Sequence, residues 1–191
     1  MNSRTISVVA IFAAFTVVLN LSPVKIPAPY APFLIYQIWE IPIVAAFLLF
    51  GPRVGVSITI INTLVLLVVF PGALPTGPFY NLAAVLSMLS GIYVGLRFVR
   101  KFSTLRLEAL LAASSTALGT VLRVGVMTIV NWALLRFPPP VGYSMPDGAL
   151  IAVLPLIGVF NFTLALYTIP LGHLLSRAVS AGTKTRAWSQ A

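Results

Sequence analysis

Residues 97–106 read RFVRKFSTLR. Four of the chain's twelve basic residues, Arg97, Arg100, Lys101 and Arg106, fall within them, and a long apolar run lies on either side. Lys and Arg beside apolar spans gather on the cytoplasmic side of a membrane, so this stretch predicts a cytoplasmic connection and sets the direction of every neighbouring run. Working outward, the apolar runs occupy residues 5–21, 33–50, 54–70, 79–99, 107–135 and 149–176. Each approaches or exceeds the roughly 20 residues that a helix needs to cross a bilayer, with tilt absorbing the excess of the last two. Between them lie the segments PVKIPAPYAP (23–32), PGALPTGP (71–78) and FPPPVGYSMPDG (137–148), too rich in proline to continue a helix.

The remaining charges agree with this frame. Arg4, Arg53, Arg177, Lys184 and Arg186 join the four of residues 97–106 on one side, Lys25 and Arg136 fall on the other, and Arg123 lies inside the fifth run. The expected architecture is therefore an all-α bundle of six transmembrane helices with both termini cytoplasmic and three proline-rich loops outside. Residues 1–178 form its single domain, and 179–191 a short, polar, mobile cytoplasmic tail. The first run follows Arg4 and lacks a small-x-small cleavage site, which reads as a retained span and not a signal peptide. Within the second run, regular helix is expected only from Glu40-Ile41-Pro42, where a first turn tolerates proline.

Composition supports the membrane reading. The 191 residues are 59% hydrophobic and 8% charged, with a mean hydropathy of +1.04, against about 25% charged residues in a soluble domain. The net charge of +9 is accounted for by span flanks and anionic lipid head groups; the basic residues do not interleave with aromatics along a groove, so no nucleic-acid partner is expected. There is no cysteine, which leaves the fold to packing alone. No phosphate-binding loop motif is present, so an ATP-driven process would need another chain. The acids are Glu40, Glu108 and Asp147, on three different segments, and His173 is the single histidine. That inventory lacks the acid pairs or metal-ligand clusters of intramembrane catalysis, so neither an enzyme nor a cofactor is expected. Glu108 is read as a first-turn carboxylate complementing the helix dipole, and His173 as an interfacial side chain.

Polar groups within the spans carry the functional reading, because each must find a partner or mark a pathway. They are Asn20, Asn62, Asn81, Arg123, Asn131, Trp132, Asn161 and Tyr167. Asn81, Arg123, Asn131 and Asn161, with Gln37, Glu40 and the loop aromatics Tyr30 and Tyr36, can converge on an outward-facing cavity. Each Asn can equally serve as interhelical glue. The Arg123 guanidinium requires a ligand, Glu40 or backbone carbonyls. Ala10 and Ala14 place two small residues on one face of the first span, as do Gly91 and Gly95 on the fourth. Such faces suit internal packing or a docking partner.

The order of motifs resembles a known family. Ala31-Pro32-Phe33-Leu34-Ile35-Tyr36, Glu40-Ile41-Pro42, Phe50-Gly51-Pro52-Arg53-Val54-Gly55 and Pro75-Thr76-Gly77-Pro78-Phe79-Tyr80-Asn81 look like the S components of energy-coupling factor (ECF) vitamin transporters, and most like the riboflavin-binding branch. The resemblance implies a six-helix bundle in the cell membrane that captures a vitamin near its outer face. It also implies a separate transmembrane coupling subunit, docked on Ala10 and Ala14, and two ATPase subunits. Two departures stand out. Phe160-Asn161 matches the motif of the sixth span, but Leu164 stands where that branch carries lysine; Gln37 and Glu40 occupy a region that commonly holds an aspartate pair. Arg123 can replace the missing cation. An S component for a different heteroaromatic vitamin, a solitary carrier or channel, and a membrane scaffold remain the alternatives.

Overall fold

The computed structural model describes residues 3–23, 25–69, 74–102, 108–183 and 187–190. Lys101 (as a side chain), Arg106, Lys184 and Arg186, used above for orientation, lie outside the described residues, as does the loop at 70–73. In chain order the elements are α1 (Ser3–Leu21), β1 (Ile26–Ala28), β2 (Ala31–Tyr36), α2 (Glu40–Phe50), α3 (Pro52–Val69), α4 (Gly77–Phe102), α5 (Glu108–Leu134) and α6 (Asp147–Thr183), followed by a 3₁₀ turn at Trp188–Gln190. The helical bundle is the expected one, and five of its helices are long and apolar enough to cross a membrane.

In the second run regular helix begins at Glu40, as expected. Residues 33–36 ahead of it form a strand that was not expected: they belong to β2, which pairs antiparallel with β1 through Ile26↔Tyr36, Pro27↔Ile35 and Ala28↔Ala31. Pro27, Pro29 and Pro32 remove backbone donors and bar the helical conformation, so this stretch satisfies its backbone as a small hairpin with a bulge. That leaves α2 only 11 residues, about 17 Å of helix, too short to cross a hydrocarbon core of about 30 Å.

Helix α2 is apolar on every side, and every residue from Pro42 to Leu49 is buried. A helix without a polar face belongs in the centre, and α2 packs against α1, α3 and α6. It ends at Gly51, whose N–H donates to the Phe47 carbonyl at 2.9 Å and whose φ of +94° is one that residues with a Cβ rarely adopt. Pro52 then opens α3, where its missing N–H costs no hydrogen bond. Helices α4 and α5 approach closely at Gly91 and Gly95. A Cβ on Gly91 would strike the Leu118 carbonyl and Gly119, and one on Gly95 would lie 2.7 Å from the Ser114 carbonyl oxygen. The small-residue face of the fourth span is thus internal packing.

Both termini lie at one end of the bundle, the basic end, with Arg4, Arg53, Arg97, Arg100 and Arg177 exposed there. The hairpin lies at the other. The tail differs from the mobile segment expected. Helix α6 runs on to Thr183, past the expected boundary at 178, and residues 187–190 fold back under the bundle. The Trp188 ring stacks on Tyr93 with centroids 6.1 Å apart and meets Phe47 edge-on at 5.8 Å. Arg100 lies over the same ring at 4.9 Å and donates to the Trp188 carbonyl at 2.7 Å. An indole with apolar rings to cover it gains more by docking than by hydration, whatever the polarity of its neighbours in sequence.

Close approach at Gly91 makes a direct prediction. Gly91→Ala is expected to destabilise the protein by about 1–3 kcal/mol through overpacking. Gly125→Ala, on an open face of α5 where an added Cβ meets nothing within 4 Å, is neutral or slightly stabilising. Unfolding in detergent micelles separates the two.

Candidate functional site

Because α2 stops short, its first residue lies inside the bundle. Glu40 is 3% exposed and Arg123, projecting from α5, 2% exposed. The guanidinium engages the carboxylate with both terminal nitrogens: Nη1 donates to Oε2 at 2.5 Å and Nη2 to Oε1 at 2.9 Å. The remaining nitrogen, Nε, donates to Asn161 Oδ1 on α6 at 3.0 Å, and the Met88 sulfur of α4 lies 3.5 Å from Nη1. Asn161 is itself anchored, its Nδ2 donating to the Ile157 carbonyl at 3.0 Å. Of the three partners open to Arg123 from sequence, the structure selects Glu40 and adds Asn161. Bidentate geometry, with every guanidinium nitrogen making at least one hydrogen bond, is the kind of arrangement in which a buried pair is tolerated.

A second cluster adjoins the first through Phe160 and Thr163 of α6, the sequence neighbours of Asn161. Tyr30 and Tyr36 of the hairpin share a hydrogen bond between hydroxyls at 2.6 Å, and Tyr36 continues to Thr163 Oγ1 on α6 at 2.8 Å. Desolvation, then the hydrogen bond with Tyr36, push the Tyr30 phenol up to about 12. The Tyr36 ring lies 4.9 Å from that of Phe160, beside Ala28, Leu34, Leu164 and Tyr167. Tyr167 donates its hydroxyl to the Gln37 carbonyl at 2.6 Å, tying α6 to the link between hairpin and α2. The Gln37 Oε1 is buried with no hydrogen-bond partner among the described residues. Phe33 reaches across to Tyr143 in the loop after α5, at 5.8 Å, and burial raises the Tyr143 phenol above its ordinary value.

The candidate residues therefore divide. Glu40 and Asn161 meet through Arg123; Tyr30, Tyr36 and Gln37 form the adjoining cluster in the hairpin and its exit. Asn131 is buried further along the same face of α5 and donates to the Met127 carbonyl at 2.7 Å. Asn81 is exposed near the start of α4. Thr163, Tyr167 and Met88 join the site without having been singled out as contacts. Tyr167 was visible as a polar group in a span, whereas a threonine or methionine in an apolar run carries no comparable signal.

At the basic end, two expectations change. Glu108 does open α5, and it also pairs with Arg177 at 2.8 Å. His173 turns inward, with Nε2 2.8 Å from Ser115 Oγ, instead of reaching to the interface. A cavity of about 230 Å³ lies here, lined in part by Glu108, His173, Arg177 and the tail residue Ser189. It is at the opposite end from the hairpin and contains none of the candidate ligand residues.

These elements define a multi-pass membrane protein whose short central helix starts at a buried polar cluster beside an aromatic hairpin. A solved structure of the S component of a bacterial ECF transporter has this fold: it superposes with a TM-score of 0.76 over 96% of this chain and 99% of that one, at 20% sequence identity. The overall arrangement expected from the motif order is thus found. No protein-family model matches the sequence, and no curated protein matches it.

The ion pair is testable apart from any ligand. Arg123→Met strands the Glu40 carboxylate and is expected to cost about 3–5 kcal/mol. The double substitution Glu40→Leu with Arg123→Met should recover most of that loss, since it removes both buried charges. Denaturation in detergent checks this; a double variant no more stable than the single one would refute mutual compensation.

Proposed function

We propose that this chain is the substrate-capture subunit of an ECF-type vitamin importer in the cytoplasmic membrane. It binds riboflavin or a related flavin at its hairpin end, and separate subunits, a transmembrane coupling protein and two ATPases, drive its reorientation. The observation that carries this reading is the truncated central helix: α2 begins at Glu40 within the bundle, and the hairpin that precedes it clips to α6. Likeness of fold to an S component over nearly the whole of both chains supports it. The basic end is then cytoplasmic by the charge rule.

Capture follows from the geometry. Opening the hairpin breaks the Tyr36 to Thr163 hydrogen bond and exposes the rings of Tyr36, Phe160 and Tyr167, apolar surfaces on which a planar ligand can stack. Glu40, Arg123, Asn131 and Asn161 supply polar groups below, and Gln37 a free acceptor. Prolines at 27, 29 and 32 limit the hairpin's freedom when open, which lowers the entropic cost of closing it over a ligand. Asn81, at the same end, contributes at the rim. On α1, Ala10 and Ala14 are exposed, so the small-residue face is open to the coupling subunit. One observation favours a different heteroaromatic vitamin: Leu164, where the riboflavin branch has lysine, is buried in the apolar cluster with Phe160.

Two measurements test this. Calorimetry of the purified chain against a panel of vitamins should find one ligand with submicromolar affinity, more than about 8 kcal/mol of binding free energy; no binding across the panel would sink the reading. With the coupling subunits co-expressed, Ala10→Trp and Ala14→Trp should abolish uptake and leave binding intact, whereas parallel loss of both would mark a folding defect.

A further inference from the structure

Asn20 on α1 is 3% exposed and Asn62 on α3 1% exposed. Asn20 Nδ2 and Asn62 Oδ1 are fully enclosed without a hydrogen-bond partner among the described residues, as is Thr16 Oγ1, one turn before Asn20. Buried polar groups in a membrane bundle are otherwise nearly always satisfied. Thr59 and Thr63, beside Asn62 on α3, follow that rule by donating to carbonyls of their own helix.

Helical register places both amides at the hairpin end of α2. Gly55 of α3 abuts α2 at Phe47, where an added Cβ would come within 2.8 Å of the Phe47 Cβ. Asn62 lies two turns beyond Gly55 on the same face, about 10 Å nearer the hairpin. Helix α2 runs antiparallel to α3, and two turns back from Phe47 is Glu40. On the other flank, the ring of Phe12 in α1 meets Phe50 of α2 at 6.0 Å. Asn20, about 12 Å further along the buried stripe of Val9, Ala13 and Thr16, rises to the last turn of α2 before Glu40. Helices α1 and α3 pack on each other as well as on α2. By this register the two amides, each with one unpartnered atom, lie at the level of Glu40 on α1 and α3, while Arg123 of α5 bonds Glu40 directly and is itself held by Asn161 of α6.

We propose that Asn20 and Asn62 form a second polar wall of the ligand site and read an uncharged lactam or imide edge of a heteroaromatic ring. This rests on the capture reading above and specifies its ligand chemistry. A primary amide offers a donor and an acceptor together, the complement of adjacent N–H and C=O groups on such an edge. Charge on the ligand is not called for, because Glu40 and Arg123 already neutralise each other.

The test uses Asn20→Leu and Asn62→Leu, near-isosteric changes that delete the amide, with thermal stability and vitamin affinity measured on the same preparations. Riboflavin, which carries an imide edge, is the first probe, and 3-methylriboflavin, which lacks the imide N–H, the second. Stability is expected to hold or rise, riboflavin affinity to fall tenfold or more, and the preference for riboflavin over its methylated form to shrink. Unchanged affinity in both variants, or affinity lost only in step with stability, would overturn the second wall while leaving the capture function standing. A wild-type chain that binds no vitamin of the panel overturns the capture reading and this subsite with it; one that binds only a vitamin with no lactam or imide edge overturns the subsite and leaves capture standing. If a leucine variant does not fold, the Asn→Ala change at that position gives the same comparison.

Discussion

A guanidinium buried within a membrane bundle has few acceptable surroundings, and the architecture around Arg123 supplies one of them. Its carboxylate partner sits at the first residue of α2, so α2 must begin inside the bundle. Had the helix continued to the membrane surface, Glu40 would lie mid-helix with its neighbours filling the space above it. The proline-rich segment before it prevents that, and the backbone it cannot make helical is satisfied in the hairpin. Pairing of Glu40 with Arg123 and interruption of the second span are one constraint seen from two sides. Such a pair adds little net stability compared with apolar residues of the same volume. What it specifies is register: α2, α5 and α6 can meet at this level in only one way.

Each end of α2 is held by an aromatic device. At the hairpin end, Tyr36 is bonded to Thr163 and Tyr167 to the Gln37 carbonyl. At the basic end, Trp188 meets Phe47 and crowds Gly51, where an added Cβ would lie 3.3 Å from the indole. One helix of 11 residues, buried throughout from Pro42 to Leu49, thus links the polar cluster at Glu40 to the packed indole at the basic end.

Much of this was legible in the sequence, for identifiable reasons. Apolar runs and flanking charge predict membrane helices because water and hydrocarbon impose a one-dimensional rule on the chain. Arg123 announced itself because an unpaired charge at that depth is untenable, and the short list of its partners included the right one. Gly91 and Gly95 were readable as close packing. What escaped depends on tertiary context. Residues 33–36 are apolar in either a strand or a helix, and periodicity over four positions cannot separate the two. Trp188 looked like part of a polar tail because its socket is assembled from α2 and α4, distant in sequence. His173 was placed at the interface on residue type, whereas Ser115 provides an interior partner. Asn20 and Asn62 were visible as polar groups, but that they lack partners is a property of the packed bundle alone.

The neutrality of the Glu40 and Arg123 pair also bears on the ligand that the proposed capture role calls for. An ionised ligand would have to compete for one member of the pair and leave the other uncompensated, a penalty that grows as the dielectric falls. An uncharged ring with a hydrogen-bonding edge would incur no such penalty and could use the amides of Asn131 and Asn161 or the acceptor of Gln37. Leu164 fits the same logic: a lysine there would add a positive charge to the apolar cluster of Ala28 and Phe160, three residues from Asn161, whose amide oxygen already accepts from a guanidinium paired with Glu40. Under the proposed role, leucine at 164 and a carboxylate for Arg123 are two halves of one electrostatic arrangement, in which the site would carry no net charge and would select by shape and hydrogen-bond pattern.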